Sequence, residues 1–164
     1  MKIAIISDIH DNVVNLEKCL TWCRAQNIVA IICCGDICDQ DTLHFLAANF
    51  LGTIYLAWGN GELFTENDLK KYANIISFGR SGGAVKIHHK AIGICHEPML
   101  RKKLVTNHHC DIIFYGHTHL PWEEKFSGIR AINPGTLAGQ FTRATFATWD
   151  IDDDILALKL IENL

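Results

Sequence analysis

Apolar residues along the chain fall into short runs that alternate with amphipathic stretches. Lys2 to Ser7 is almost wholly apolar through Ile3-Ala4-Ile5-Ile6, the pattern of a strand buried on both faces. From about Asn12 to Gln26, Val13, Leu16, Leu20 and Cys23 recur at helical spacing. The alternation then repeats: Ile28–Cys34 predicts a strand, Thr42–Phe50 a helix, Thr53–Trp58 a strand and Asn67–Tyr72 a short helix. A doubly buried strand followed by a crossover helix opens an α/β fold, so the first half reads βαβαβα.

The second half has a different texture. Ile75–Phe78, Ala84–His88 and Ala91–Cys95 are short β-type runs, broken by Ser81-Gly82-Gly83 and His89-Lys90 in the manner of hairpins. One helix, about Pro98 to Thr106, precedes a strand at Asp111–Tyr115. Trp122–Phe126, Arg130–Ile132, Thr142–Trp149 and Ile155–Leu160 follow as strands, with turns at Ser127-Gly128, Pro134-Gly135 and Asp152-Asp153. Neither a linker nor a repeat interrupts the pattern. Parallel βαβ units followed by antiparallel strands predict one domain, residues 1–164, of two packed sheets with helices outside.

Composition narrows the function. A chain of 164 residues buries enough surface to support a core without disulfide or metal staples. Fifteen basic against 18 acidic side chains leave a net charge of −3, with no basic footprint for a long duplex. Extended nucleic-acid binding is therefore not expected, while small phosphorylated ligands remain open. The first apolar run is cut at once by Asp8 and His10, so it predicts neither a signal segment nor a membrane span. The seven cysteines accordingly read as reduced thiols of a cytoplasmic protein, buried as small hydrophobes. The nine histidines are numerous for the length.

The chemistry shows in where polar residues interrupt the pattern. Asp8-Ile9-His10 follows the first strand, Gly35-Asp36 the second and Gly59-Asn60-Gly61-Glu62 the third; His96 and Gly116-His117-Thr118-His119 follow later ones. Open α/β sheets place their ligand crevice at these carboxyl ends. Asp8 and His10 are two apart, as are His117 and His119, so in extended backbone each pair shares a face. Gly35, Gly59 and Gly116 let the chain turn as it leaves the sheet. Taken singly, Asp8 reads as a helix cap, and Gly35-Asp36 and Gly59-Asn60-Gly61 as turns. Two histidines directly after an apolar strand, by contrast, offer no packing benefit.

Two Asp, one Asn and four His make a set of oxygen and nitrogen donors suited to Mn, favoured here, or to Ni, Fe, Zn or Co. Seven ligands are too many for one tetrahedral ion but suit two divalent ions sharing a carboxylate, which clamp the attacking and leaving oxygens of a phosphoryl displacement. Two such ions, less two carboxylates and a hydroxide, leave a charge of about +1 that favours a phosphate anion.

In order and spacing, Asp8-Ile9-His10 with Asn12, Gly35-Asp36, Gly59-Asn60, His96, Gly116-His117-Thr118-His119 and Asn133-Pro134-Gly135-Thr136 resemble the calcineurin-like metallophosphoesterases, in particular their small single-domain phosphodiesterase branch. The resemblance implies a four-layer αββα sandwich of two mixed sheets, in which a metal-bridging hydroxide attacks phosphorus in line. It implies that Asp8, His10 and His119 hold one metal, that Asn60, His96 and His117 hold the other, and that Asp36 bridges them. Asn60, His96 and Asp36 are then the residues nearest the chemistry, and the Asn133–Thr136 turn buttresses the rim.

Two positions depart from the family pattern. Gly61 stands where many members carry a His that protonates the leaving group, which moves the expected substrate toward diesters or activated phosphates. Glu97 follows His96 where the family usually has Gly, which would narrow the mouth. Asn12, Glu62 and Arg143 are weaker candidates for substrate contact, with Glu62 equally readable as a solvated loop carboxylate. His44, His88-His89 and His108-His109 carry no expectation of a site. The expected partner is a small phosphate ester, with a homo-oligomer left open. The rival reading is a catalytically weak or inactive partner-binding scaffold on the same fold, like the retromer subunit. All seven ligand positions are intact, which favours the enzyme.

Overall fold

The computed structural model describes all 164 residues. Eleven strands and four helices follow in the order β1 (Lys2–Ile6), α1 (Val13–Ala25), β2 (Ala30–Cys33), α2 (Gln40–Asn49), β3 (Thr53–Leu56), α3 (Glu66–Leu69), β4 (Ile75–Ser77), β5 (Gly83–Ile87), β6 (Lys90–Ile94), α4 (Leu100–Asn107), β7 (Ile112–Phe114), β8 (Pro121–Phe126), β9 (Ile129–Pro134), β10 (Thr145–Asp150) and β11 (Ile155–Leu160), closed by a 3₁₀ turn at Ile161–Asn163. One sheet runs β11-β10-β1-β2-β3-β4 and the other β5-β6-β7-β9-β8.

Both sheets are mixed. β1, β2, β3 and β4 are parallel, and β10 and β11 close that sheet antiparallel. In the second sheet β6, β7 and β9 run parallel between two antiparallel edges. The second half is thus less purely antiparallel than its hairpin-like turns suggest, because α4 supplies a crossover between β6 and β7.

Alternation within β1 shows why a wholly apolar strand is needed. Ala4 and Ile6 join a core with Leu16, Cys19, Leu20 and Cys23 of α1, whereas Ile3 and Ile5 join one between the sheets with Ile92, Ile94, Phe114 and Trp149. A third, smaller core under α4 contains Leu104, Ile113 and Tyr115. These three apolar layers separate helix, sheet, sheet and helix, so the domain is an αββα sandwich.

The helix starts follow local capping. Asn12 accepts from Asn15 N–H at 3.1 Å, and Asp39 caps α2 through Gln40 N–H at 2.7 Å, which starts that helix two residues before the apolar periodicity does. At α3, Asp68 accepts from both the backbone and the hydroxyl of Thr65, at 2.9 and 2.8 Å. β10 begins at Thr145, so Thr142 and Arg143 lie in the loop before it and not in a strand. No helix is long and apolar enough to cross a membrane.

Candidate metal centre and active site

The carboxyl ends of β1, β2, β3, β6 and β7 deliver Asp8, His10, Asp36, Asn60, His96, His117 and His119 to one place. The geometry divides them into two touching groups. In the first, His119 Nε2 lies 3.2 Å from Asp8 Oδ1 and 3.1 Å from His10 Nε2. In the second, Asn60 Oδ1 lies 2.9 Å from His117 Nδ1 and 3.1 Å from His96 Nε2, and those two ring nitrogens are 3.2 Å apart. Asp36 Oδ2 stands between the groups, 3.7 Å from His10 Nε2 and 3.3 Å from His96 Nε2.

The chain leaves the strands in a different way from the one that strand periodicity suggests. Asp8, His10, Asp36, His117 and His119 all have positive φ, between 43° and 71°. The paired residues converge through left-handed turns, not by extended alternation. Asp and His tolerate this region better than β-branched residues do, yet it is uncommon for any side chain. Of the three glycines, only Gly35 is left-handed, at φ 102°. Gly59 and Gly116 are clearances: a Cβ on Gly59 would overlap the Asp36 carboxylate, and one on Gly116 would overlap the Ser7 hydroxyl and lie 2.8 Å from Asp8 Oδ2.

A further layer of hydrogen bonds fixes these side chains. His96 Nδ1 is 2.8 Å from the Cys34 carbonyl, which only accepts, so Nδ1 carries a proton and Nε2 is the ring atom that would serve a metal. Gly61 N–H donates to Asp36 Oδ1 at 2.7 Å, and His117 N–H is shared by both Asp8 oxygens at 3.1 and 3.2 Å. Asn133 donates to the Gly116 carbonyl at 2.8 Å and to the Thr118 hydroxyl at 3.0 Å, while the Thr136 hydroxyl donates to the Asp8 carbonyl at 2.9 Å. One buried turn therefore braces the first and last of the site loops.

Electrostatics follow from burial. Asp8 is fully buried, and loss of water pushes its carboxyl above the usual range. Burial pushes Asp36 up as well, but the hydrogen bond and charge of His96 with the Gly61 N–H outweigh it and hold Asp36 below the ordinary value. His96 mirrors this: burial pulls its imidazole down, and Asp36 more than restores it.

These donors have the chemistry to hold divalent cations. Nitrogens of His10 and His119 converge with a buried carboxylate oxygen, and nitrogens of His96 and His117 converge with an amide oxygen. His119 Nδ1 is itself buried without a partner. Asp8, His10 and His119 form one compact ligand group and Asp8, Asp36 and His96 a second. Oxygen and imidazole donors with no thiolate suit borderline transition metals.

The weaker candidates separate. Glu62 is buried, not solvated: it accepts from Gly59 N–H at 3.0 Å and Cys38 N–H at 3.2 Å, tying the Asn60 loop to the Asp36 loop, and burial pushes its carboxyl up. Asn12 spends its amide on the α1 cap and on the Ala138 carbonyl, 3.0 Å away, and so secures the loop that carries Ala138. Arg143 is 73% exposed and paired with Glu162 at 3.3 Å, outside the cluster.

Three residues beside the site escape sequence reasoning. Cys38 Sγ lies 3.5 Å from His10 Nδ1, and burial pushes its thiol up to about 12. Asp11 accepts from Asp39 N–H and the Thr42 hydroxyl, at 2.9 and 2.7 Å, pinning the His10 loop to α2. Arg80 donates to the Gly59 carbonyl at 2.7 Å, immediately before Asn60. The positive φ of Cys38 and the cross-loop partners of Asp11 and Arg80 are visible only once the loops are folded together.

Known proteins resemble this chain in sequence and in fold. The chain is 27% identical over 146 residues to a protein named phosphodiesterase from Methanocaldococcus jannaschii, covering 87% of each. Among solved structures, an archaeal phosphodiesterase superposes with a TM-score of 0.86 at 24% identity, covering 98% of this chain and 99% of that one. The YfcE phosphoesterase of E. coli gives 0.72 at 20%, covering 98% and 100%. The zinc complex of Vps29 from Entamoeba histolytica gives 0.67 at 19%, covering 96% and 90%. The model of the calcineurin-like phosphoesterase superfamily domain matches residues 1–154. The match spans most of the sequence, and the chain belongs to the calcineurin-like phosphoesterase superfamily.

Proposed function

We propose that the chain is a phosphodiesterase that hydrolyses a small phosphodiester at a pair of divalent transition-metal ions, with manganese the favoured metal. The observation that carries this reading is the position of Asp36 Oδ2, within 3.7 Å of a nitrogen from each half of the cluster. A carboxylate so placed serves both halves at once. When bound, the ions supply Lewis-acid activation of water and of the phosphoryl oxygens for direct in-line displacement, with no covalent enzyme intermediate.

The protein's own groups do the rest. Asp8, His10 and His119 hold one side of the centre and Asn60, His96 and His117 the other. The Cys34 carbonyl fixes the His96 tautomer, and Gly61 N–H and His117 N–H hold the two carboxylates in place. Gly61 brings no proton to a leaving oxygen, and a Cβ there would lie only 3.1 Å from Cys38 Sγ and 3.2 Å from Asp36 Oδ1. Substrates whose leaving group needs little protonation are favoured, which supports diesters over unactivated monoesters.

Likeness to Vps29 raises a second reading, a partner-binding scaffold on the same fold. Turnover separates the two. Purified protein supplied with Mn²⁺ or Ni²⁺ is expected to hydrolyse bis(p-nitrophenyl) phosphate and to stop on chelation. Absence of turnover with every transition metal tested would remove the enzymatic reading and leave the scaffold.

A further inference from the structure

We propose that Phe141 is a platform on which a flat aromatic group of the substrate stacks, so that the preferred phosphodiester bears a nucleobase or aryl group. This rests on the phosphodiesterase reading above and extends it to a substrate class.

Phe141 is 93% exposed, yet its ring centroid lies 5.9 Å from that of His119, with the planes inclined by 36°. One side of the ring thus meets a residue of the metal centre and the rest faces water. An aromatic side chain left so open forgoes the burial that ordinarily holds it. Its backbone is left-handed as well, at φ 66°, a conformation that is an outlier for a bulky residue and that persists only when the surroundings impose it.

Those surroundings are the site itself. Leu137 N–H donates to the Ser7 carbonyl at 2.9 Å and Ala138 N–H to the Asp8 carbonyl at 3.0 Å. Asn12 anchors the Ala138 carbonyl from the other side, at 3.0 Å. After Phe141, the Thr142 hydroxyl donates to the His119 carbonyl at 2.9 Å. The loop is therefore tied at both ends to residues that carry the centre, and Phe141 is presented in a fixed place beside it. Other loops leaving the site strands also carry exposed apolar side chains: Leu63 after Asn60, Met99 after His96 and Leu120 after His119. An open aromatic ring held beside the centre suits a substrate with an apolar, flat substituent next to its phosphate better than a sugar phosphate or a small alkyl ester.

The test compares ligands that differ only in the base. Binding of adenosine 5′-monophosphate and of ribose 5-phosphate to the manganese-loaded protein is measured by calorimetry, alongside KM and kcat for bis(p-nitrophenyl) phosphate, in the wild type and in Phe141→Ala, Phe141→Leu and Phe141→Trp. Base–aromatic stacking predicts that Ala and Leu weaken the nucleotide and raise KM by about fivefold or more, with kcat little changed, and that Trp restores both. Ribose 5-phosphate binding should not move. Three results would each overturn the platform: no change on Phe141→Ala, Leu performing as well as Phe, or an equal loss for ribose 5-phosphate. Absence of turnover in the wild type removes the phosphodiesterase reading instead, and the calorimetric comparison still decides Phe141.

Discussion

Two places on this molecule gather histidine and aspartate, and they lie at opposite ends of the sandwich. At the carboxyl ends of the parallel strands, Asp8, Asp36 and His96 are buried and every site loop is braced by a neighbour. At the other end, His88 and His89 in the β5–β6 turn meet Asp152 in the β10–β11 turn, with donor atoms close enough for a cation. There all three are exposed, Asp152 pairs with His88 at 3.1 Å and with the amino terminus, and the two rings meet edge to face with centroids 4.7 Å apart. Residue types alone do not make a metal centre. What differs is the supporting layer: backbone N–H groups on the carboxylates, a carbonyl on His96 Nδ1, and glycines that admit close approach.

The sharpest way to break this comparison is to delete one ligand at each end. Asp36→Ala or His119→Ala should lower turnover of bis(p-nitrophenyl) phosphate by more than about 100-fold, since even the outer partners of a metal site are worth roughly 10- to 100-fold. His88→Ala and Asp152→Ala should leave it unchanged. Comparable losses at both ends in steady-state assays would mean that burial and bracing do not distinguish the two clusters.

Metal-linked stability is the next measure. A cation at about 100 times its dissociation constant stabilises the fold by about 2.7 kcal/mol. Mn²⁺ should therefore raise the melting temperature of the wild type and of the His88→Ala/His89→Ala double variant alike, and chelation should reverse it. In His119→Ala the shift should shrink. A shift that disappears in the double variant instead would relocate the metal to the exposed end.

Much of this contrast is legible in the sequence, and the part that is not has a physical cause. Every regular element follows from apolar period and turn chemistry, because those signals act along the chain: Ile3 to Ile6 announces a strand between two layers, and the spacing from Val13 to Cys23 announces α1. The seven strand-end residues can be picked out because polar ligand types at such positions serve no packing purpose. Contacts across the chain leave no such trace. Nothing local in Glu62 says that it will be buried against two N–H groups from different loops, or in Gly59 that its missing Cβ makes room for Asp36. Arg143 looks available in sequence, yet it is Arg80, 21 residues beyond Gly59, that the fold brings beside Asn60. The left-handed turns at Asp8, His10, His117 and His119 are imposed by the converging loops and not by the residues' own preference for extended backbone.

The supporting layer can be tested apart from the ligands. Glu62→Ala leaves Gly59 N–H and Cys38 N–H without their acceptor, and an unsatisfied buried donor costs about 1–3 kcal/mol of stability. Turnover should fall roughly 10- to 100-fold, less than for a ligand, because the Asn60 and Asp36 loops are loosened and not emptied. Thermal melts and kinetics on the same preparation check both. If Glu62→Ala matches an exposed substitution such as Asp152→Ala, the bracing argument fails.

The smallest effect concerns pH and has opposite sign at the two ends. Burial raises the folded pKa of Asp8 above its unfolded value of 3.8, so the folded metal-free protein holds that proton more tightly than the unfolded chain. The resulting penalty is absent below pH 3.8, grows as the pH rises toward the folded value and is complete above it. At the other end, the hydrogen bond from the amino-terminal ammonium lowers the pKa of Asp152, so its stabilisation is complete above pH 3.8 and is lost as the pH falls through the folded value. Asp8→Asn should therefore raise the melting temperature of the metal-free protein at pH 7 while abolishing metal-dependent turnover, and the gain should vanish on acidification. Asp152→Asn should lower the melting temperature slightly at pH 7, leave turnover intact and converge with the wild type in acid. A carboxylate whose removal strengthens the empty fold and destroys the reaction is one held in place for a cation, and melts at several pH values with and without Mn²⁺ distinguish it from one that only closes a turn.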